Sequence, residues 1–140
     1  MKPIVKSFLY LFFIMLLVLA CSKKEADVGR VRNKSDNQSG FQQIGFWQKA
    51  DNRLYTIYAS DEDWAAMEEY ADRKPYKTGK TTSVFFFNNR DGTPDVTKYK
   101  GSMSDVIDRI YADGDTAYWI ARYDRFPSGD AIFKRYPAAE

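Results

Sequence analysis

The chain has 140 residues, with 21 basic and 19 acidic side chains, one cysteine and no histidine. Histidine is the most frequent general base and a common metal ligand, so its absence excludes Ser-His-Asp and Cys-His catalysis and histidine-rich zinc sites. The length suffices for one domain with a single hydrophobic core.

The first 20 residues, MKPIVKSFLYLFFIMLLVLA, have the layout of a secretory signal peptide. Lys2 and Lys6 precede an uninterrupted apolar run from Phe8 to Ala20, and the charged stretch SKKEAD follows soon after. A membrane-spanning helix needs about 20 apolar residues, and this run is shorter. We therefore expect residues 1–20 to be a cleaved signal rather than a permanent anchor.

The end of this segment, Val18, Leu19, Ala20 and Cys21, resembles the lipobox of bacterial lipoproteins. The resemblance covers only the first 21 residues. It implies cleavage before Cys21, a diacylglycerol on the cysteine sulfur and a further acyl chain, such as palmitate, on the new amino group. Two or three acyl chains hold a domain at a membrane, whereas one chain binds only marginally. A lipidated Cys21 leaves no thiol for a disulfide, redox exchange or metal ligation.

The residue after the cysteine bears on location. In the lipoprotein class an Asp at that position favours retention in the inner membrane, and here the residue is Ser22. The resemblance therefore implies anchoring to the outer membrane on its periplasmic side, or to the outer face of the cell membrane in a single-membraned cell. Exposure at the cell surface stays open.

Residues 21–40 are predicted to be a lipidated, disordered tether. They contain no aromatic residue and no apolar periodicity, and they are rich in Lys, Ser, Asn, Asp and Gly. All nineteen aromatic residues outside the signal come after residue 40. A flexible segment of this length reaches about 25 Å. We therefore place one globular domain at residues 41–140.

Charge excludes nucleic acid as a partner. Removal of Lys2 and Lys6 leaves 19 basic and 19 acidic side chains, so the pI of 8.6 describes the precursor alone. Residues 41–140 carry 14 basic and 16 acidic side chains. A surface that follows a phosphate backbone needs clustered positive charge, which this distribution lacks.

The domain opens with a predicted β-hairpin. Residues 41–49 and 53–59 are rich in aromatic and β-branched side chains, and they flank Asp51 and Asn52, which tolerate the positive φ angles of a tight turn.

A helix is predicted next. Ser60 is the expected N-cap, the three carboxylates of DEDW fall in the first turn, and Asp63 takes the capping-box position. The apolar face comprises Trp64, Met67, Tyr70 and Ala71. The helix is expected to end before Pro75.

The second half of the domain predicts a strand, a helix and a hairpin. TTSVFFFN, beginning at Thr81, is continuously β-forming and predicts a central strand covered on both faces. SMSDVIDRIY predicts a helix with Ser102 or Ser104 as its cap, ending at ADGD. Its apolar face comprises Val106, Ile107, Ile110 and Tyr111. TAYWIARYDRF, the turn PSGD and AIFKRY predict the final hairpin.

These elements predict an α+β domain in the order ββαβαββ. A helix joins the second and third strands, so we expect a parallel crossover between them. The expected architecture is a two-layer sandwich of about five strands with both helices on one face.

Three segments resemble chemical motifs. TGKTT at 78–82 lacks the P-loop glycine five residues before Gly79 and runs from helix to strand, so no nucleotide site is predicted. NNRDGTPD, aligned on Gly92, places Phe87 and Lys98 where an EF-hand needs acidic ligands. The acidic turns at 88–95 and 113–115 therefore predict ordinary turns, and calcium binding there stays open. The densest group of carboxylates comprises Asp61, Glu62 and Asp63. A helix N-terminus favours acidic residues, so their clustering does not require a catalytic role.

A candidate binding face lies on the last hairpin. If Ala117, Trp119 and Ala121 face the core, the intervening side chains point outward. With side chains of the partner strand they form an amphipathic face of the residue types enriched at protein interfaces. The candidate residues are Tyr118, Arg122, Asp124, Lys134 and Tyr136.

The sequence therefore predicts a membrane-anchored extracytoplasmic lipoprotein that binds a protein partner in the envelope. The roles considered are inhibitor, immunity or exclusion factor, and accessory of envelope assembly. No cofactor and no catalytic residue are predicted. Two alternatives stay open: a carboxylate-dependent hydrolase of cell-wall glycans, and a binder of small ligands or glycans.

Overall fold

The computed structural model describes residues 40–114 and 116–136. The predicted signal peptide, Cys21 and nearly all of the predicted tether lie outside these residues. In the part of the chain that is described, no helix is long and apolar enough to cross a membrane.

The domain is built on one mixed five-stranded sheet. The strands are β1 (Phe41–Lys49), β2 (Asn52–Ala59), β3 (Thr82–Phe87), β4 (Trp119–Arg125) and β5 (Ala131–Arg135). The helices are α1 (Trp64–Asp72) and α2 (Met103–Asp113), with short 3-10 helices at Val96–Lys98 and Thr116–Tyr118. The strands follow one another across the sheet in chain order; β2 and β3 are parallel and the other neighbours antiparallel. The α+β class, the element order and the parallel crossover are confirmed.

The sheet is covered on both faces, which corrects the expectation of two helices on one face. On the first face, α1 packs against a cluster that includes Ile57 and Phe86. On the second face, α2 packs against a cluster that includes Leu54 and Phe85. Every residue of β3 is buried and consecutive side chains point to opposite faces, so each face needs its own cover. The sandwich therefore has a helix on each side of the sheet.

The ends of the elements differ slightly from those predicted. The β1–β2 turn uses Ala50 and Asp51, with φ angles of 49° and 65°, rather than Asp51 and Asn52. Helix α1 begins three residues later than expected, because Asp63 is its N-cap and accepts a hydrogen bond from the Ala66 N–H. The Ser60 hydroxyl donates instead to the Gly40 carbonyl.

Ser102, one of the two predicted caps, is the N-cap of helix α2. The Ser102 hydroxyl accepts the Asp105 N–H, and the Asp105 carboxylate accepts the Ser102 N–H, so the two residues form a capping box. The hydrogen bonds to Ser102 lower the pKa of the Asp105 carboxyl.

Candidate functional site

Four of the five predicted face residues lie together on the second face of the sheet. Arg122 and Asp124 alternate along β4, and Lys134 lies directly opposite Arg122 on β5. Tyr136 follows β5, and its N–H donates to the Ile120 carbonyl at 2.8 Å. The cross-strand register thus brings these side chains together, but Asp124 is buried rather than open to solvent as the sequence predicts, because it lies between Arg122 and Ser83.

Tyr118 does not belong to this group. It ends a 3-10 helix rather than continuing a strand, because β4 begins only at Trp119. Its ring packs against Gly92, where an added Cβ would lie 2.6 Å from Tyr118 Cδ2. The prediction of Tyr118 on the binding face is therefore replaced by a packing role beneath the 88–95 turn.

A β-bulge changes which side chains share a face. Phe86 pairs with Ala121 and Phe87 pairs with Trp119, so Ile120 is the extra residue on β4. Trp119 therefore lies on the second face with Arg122, whereas Ala121 points to the first face. The sequence prediction placed Trp119 and Ala121 together, since simple alternation contains no signal for a bulge.

Arg122 is held by an ion pair and by an aromatic ring. Its Nε lies 2.7 Å from Asp124 Oδ2, and its guanidinium lies over the Phe85 ring at 4.8 Å from the centroid. Ser83 Oγ donates to Asp124 Oδ1 at 2.5 Å from within the sheet. Burial opposes the charge of Arg122, but the hydrogen bond and charge of Asp124 outweigh it and raise the pKa of Arg122.

Helix α2 contributes a residue that the sequence prediction assigned to the helix's apolar face. Tyr111, in its last turn, accepts a hydrogen bond from Arg122 Nη1 at 3.3 Å. Its ring contacts Trp119 at 4.9 Å between centroids, and Trp119 in turn contacts Tyr136 at 4.4 Å. Burial, followed by the effect of Tyr111, raises the pKa of Tyr136. In the sequence, Tyr111 differs from the other three residues of the predicted apolar face, which are aliphatic, because it carries a polar hydroxyl. That hydroxyl is the sequence signal that could have indicated its contact with Arg122.

Exposed apolar side chains concentrate around this hairpin. Among the described residues, the large hydrophobic side chains most open to solvent are Tyr111 at 43%, Phe126 at 37% and Ile132 at 45%. Phe126 directly follows β4, and Ile132 lies opposite Asp124. We define the β4–β5 surface as Tyr111, Arg122, Ile132, Lys134 and Tyr136. Clustered exposed apolar groups with a polar margin are typical of interaction sites.

In the acidic turns at 88–95 and 113–115, side-chain oxygens accept hydrogen bonds from nearby groups of the chain. Asn89 Oδ1 accepts the Gly92 N–H and Asp95 Oδ1 accepts the Thr97 N–H, each at 3.0 Å. The Thr97 hydrogen bond lowers the pKa of Asp95. Asp113 Oδ2 accepts the Tyr99 hydroxyl at 2.8 Å, and residue 115 lies outside the described residues. Within 40–114 and 116–136, no group of three acidic or cysteine side chains is arranged to hold a metal ion.

Comparison of the chain with protein-family models, with curated proteins and with solved structures finds no match.

Proposed function

We propose that the chain is an extracytoplasmic lipoprotein, anchored through Cys21, whose β4–β5 surface binds a protein of the cell envelope. The observation that carries the proposal is that exposed Tyr111 contacts Arg122 and exposed Ile132 lies opposite its ion-pair partner Asp124. Aromatic residues and arginine are enriched in protein interfaces, and the largest contributions come from such anchors within a polar rim.

The arrangement favours a protein partner over a sugar. A sugar-binding platform presents the flat face of an aromatic ring to solvent. The large ring here, Trp119, is only 9% exposed, because Tyr111 contacts it and Tyr136 packs against it. The exposed large hydrophobic side chains are instead Tyr111, Phe126 and the aliphatic Ile132, a mixture that fits the irregular apolar surface of a protein.

The hydrolase alternative has less support at this surface. Glycoside hydrolysis needs two carboxyl groups flanking the scissile bond. Asp124 is buried, ion-paired with Arg122 and hydrogen-bonded to Ser83. A carboxylate in these contacts serves to hold Arg122 in place.

The proposal is tested by photo-crosslinking in the protein's own envelope. A photoreactive residue replaces Ile132 in one variant and Glu68, which is exposed on α1 over the other face of the sheet, in a matched control. We expect one adduct from position 132 and none from position 68. Combining the Ile132 variant with a signal peptide that is cleaved without lipidation, in place of residues 1–21, should release the chain from the membrane fraction and reduce the adduct, because anchoring raises the local concentration of the partner.

Three results would contradict the proposal. The absence of any adduct from position 132 removes the protein-binding function. Equal adducts from positions 132 and 68 mean that capture is non-specific and that the β4–β5 surface has no special role. If the chain made with the non-lipidated signal peptide stays in the membrane fraction, the lipid anchor is wrong.

A further inference from the structure

Strand β5 forms one edge of the sheet, and its hydrogen-bonding pattern shows which groups the edge presents. The Phe126 N–H donates to Asp130 O, and the Tyr136 N–H donates to Ile120 O. In the antiparallel register between them, every second residue of β5 bonds to β4. The alternate residues, Ala131, Phe133 and Arg135, therefore direct their N–H and C=O groups away from the sheet.

The two edges of the sheet differ. On β1, the Phe46 N–H donates to Thr97 Oγ1 at 3.3 Å, and a Cβ at Gly45 would lie 2.5 Å from the Val96 nitrogen. The 3-10 helix at Val96–Lys98 therefore lies against that edge. Strand β5 is exposed at four of its five residues, and the described part of the chain places no hydrogen-bonding partner beside its outward groups. Such an edge is a template for an added strand.

Charge decides what kind of strand fits. β5 carries Lys134 and Arg135, both exposed and on opposite faces of the sheet. The acidic residues nearby are already engaged, since Asp124 pairs with Arg122 and Asp130 accepts the Ser128 hydroxyl. Pairing β5 with the β5 of a second copy would bring four positive charges and no carboxylate into two adjacent strands, whereas an acidic strand would place opposite charges beside Lys134 and Arg135. The edge therefore discriminates against self-pairing.

We propose that the partner at the β4–β5 surface is an acidic, extended segment of a protein that pairs with β5 as a sixth strand. This inference rests on the proposed protein-binding function and specifies its chemistry. Main-chain bonds to Ala131, Phe133 and Arg135 supply the pairing. Carboxylates at two consecutive positions of the segment meet Lys134 on one face and Arg135 on the other. Exposed Ile132, which lies on the same face of the sheet as Lys134, supplies an apolar contact.

The test uses two eight-residue fluorescent peptides and the purified full chain in detergent. One peptide repeats two threonines followed by two glutamates, and the other repeats two threonines followed by two lysines, so that each presents charge on both faces of the added strand. Fluorescence anisotropy measures both affinities. We expect the acidic peptide to bind at least about ten-fold more tightly, with the difference shrinking at high salt. Equal affinities, a preference for the basic peptide or no binding of either peptide would overturn the inference.

Two variants separate strand pairing from general charge attraction. Ala131→Pro removes one outward N–H and leaves the bonds between β4 and β5 intact, while the matched control Ala131→Val keeps the N–H. We expect about five-fold weaker binding of the acidic peptide for Ala131→Pro and less than about two-fold change for Ala131→Val. Equal affinities for these two variants would contradict strand addition. The pair Lys134→Glu and Arg135→Glu should reverse the preference between the peptides, which decides the charge requirement even if the proline variant does not fold.

The crosslinking experiment tests the protein-binding function, and the peptide experiment tests the acidic strand, so a negative result in one leaves the other claim standing. An adduct from position 132 without peptide binding keeps the protein-binding function and rejects the acidic strand. Peptide binding with the expected variant pattern, but without an adduct in the envelope, supports the edge chemistry and rejects the proposed envelope partner.

Discussion

Asp124 is the residue on which the local geometry of the β4–β5 surface depends. It accepts the Ser83 hydroxyl on one oxygen and pairs with Arg122 on the other, while both side chains are largely buried. Removing one partner of a buried ion pair leaves an uncompensated charge, which costs more than the pair contributes. Arg122 retains contact with water, so its head group is able to relax partly toward solvent when Asp124 is neutralised.

We expect Asp124→Asn to lower the free energy of unfolding by about 2 kcal/mol, below the full cost of a wholly buried pair. The matched control is Asp130→Asn in the exposed β4–β5 turn, where we expect a change within about 0.5 kcal/mol. Urea denaturation measures both. Similar small losses for the two variants would show that Asp124 does not hold Arg122.

At the scale of elements, the second face depends on where α2 begins. Ser102 and Asp105 satisfy each other's backbone N–H groups, so the helix starts directly after Gly101, whose φ of 122° favours glycine. The buried residues of α2 are Val106 and Ile110. A shift of the helix start would move these side chains off the sheet and Tyr111 away from Arg122.

Ser102→Ala should therefore lower the free energy of unfolding by about 1 kcal/mol, because the Asp105 N–H loses its acceptor. Ser104→Ala, two residues later and exposed within the helix, should leave stability unchanged or raise it by up to about 0.5 kcal/mol through helix propensity. Equilibrium denaturation in urea compares the two variants. A larger loss for Ser104→Ala would mean that the cap is assigned to the wrong serine.

Across the whole domain, one kind of contact occurs on both sides of the sheet. The Tyr123 hydroxyl donates to Asp72, the last residue of α1, and the Tyr99 hydroxyl donates to Asp113, the last residue of α2; both distances are 2.8 Å. A carboxylate at a helix C-terminus is unfavourable to the helix dipole, so a hydroxyl donor there compensates. Burial, followed by the bond to the carboxylate, raises the pKa of each tyrosine to about 12.

These raised pKa values predict a loss of stability in alkaline solution. The unfolded chain releases the tyrosine protons near pH 10, whereas the folded chain retains them to about pH 12. The stability contribution is therefore complete below pH 10 and declines as the pH rises from about 10 to about 12. The double variant Tyr99→Phe and Tyr123→Phe should show a shallower decline in chemical denaturation at each pH, and Tyr58→Phe, outside both pairs, should not. Identical pH profiles for the double variant and the parent chain would refute this coupling.

Local patterns were enough to predict the order of elements and three of the five residues of the β4–β5 surface, Arg122, Lys134 and Tyr136. The continuous apolar run of β3 predicts its central place, and the i, i+2 spacing of Arg122 and Asp124 predicts their shared face. These features depend on the period of a strand and on turn chemistry, which neighbouring residues determine. The lipobox resemblance at Cys21 is of the same local kind, and it lies outside the described residues.

Long-range packing determined three features of the fold that local sequence patterns do not predict. The bulge at Ile120 and the seating of Tyr118 on Gly92 reorganise the start of β4, and the two helices divide between the faces of the sheet. Each outcome depends on segments distant in the chain meeting in three dimensions. The sequence alone thus determined which segments form the strands and helices, though not all of their ends, because hydrophobic period and capping act over a few residues. Only the tertiary structure decided that Tyr111 joins Arg122 and that no other strand within residues 40–114 and 116–136 pairs with the outer side of β5, because both depend on how the core packs.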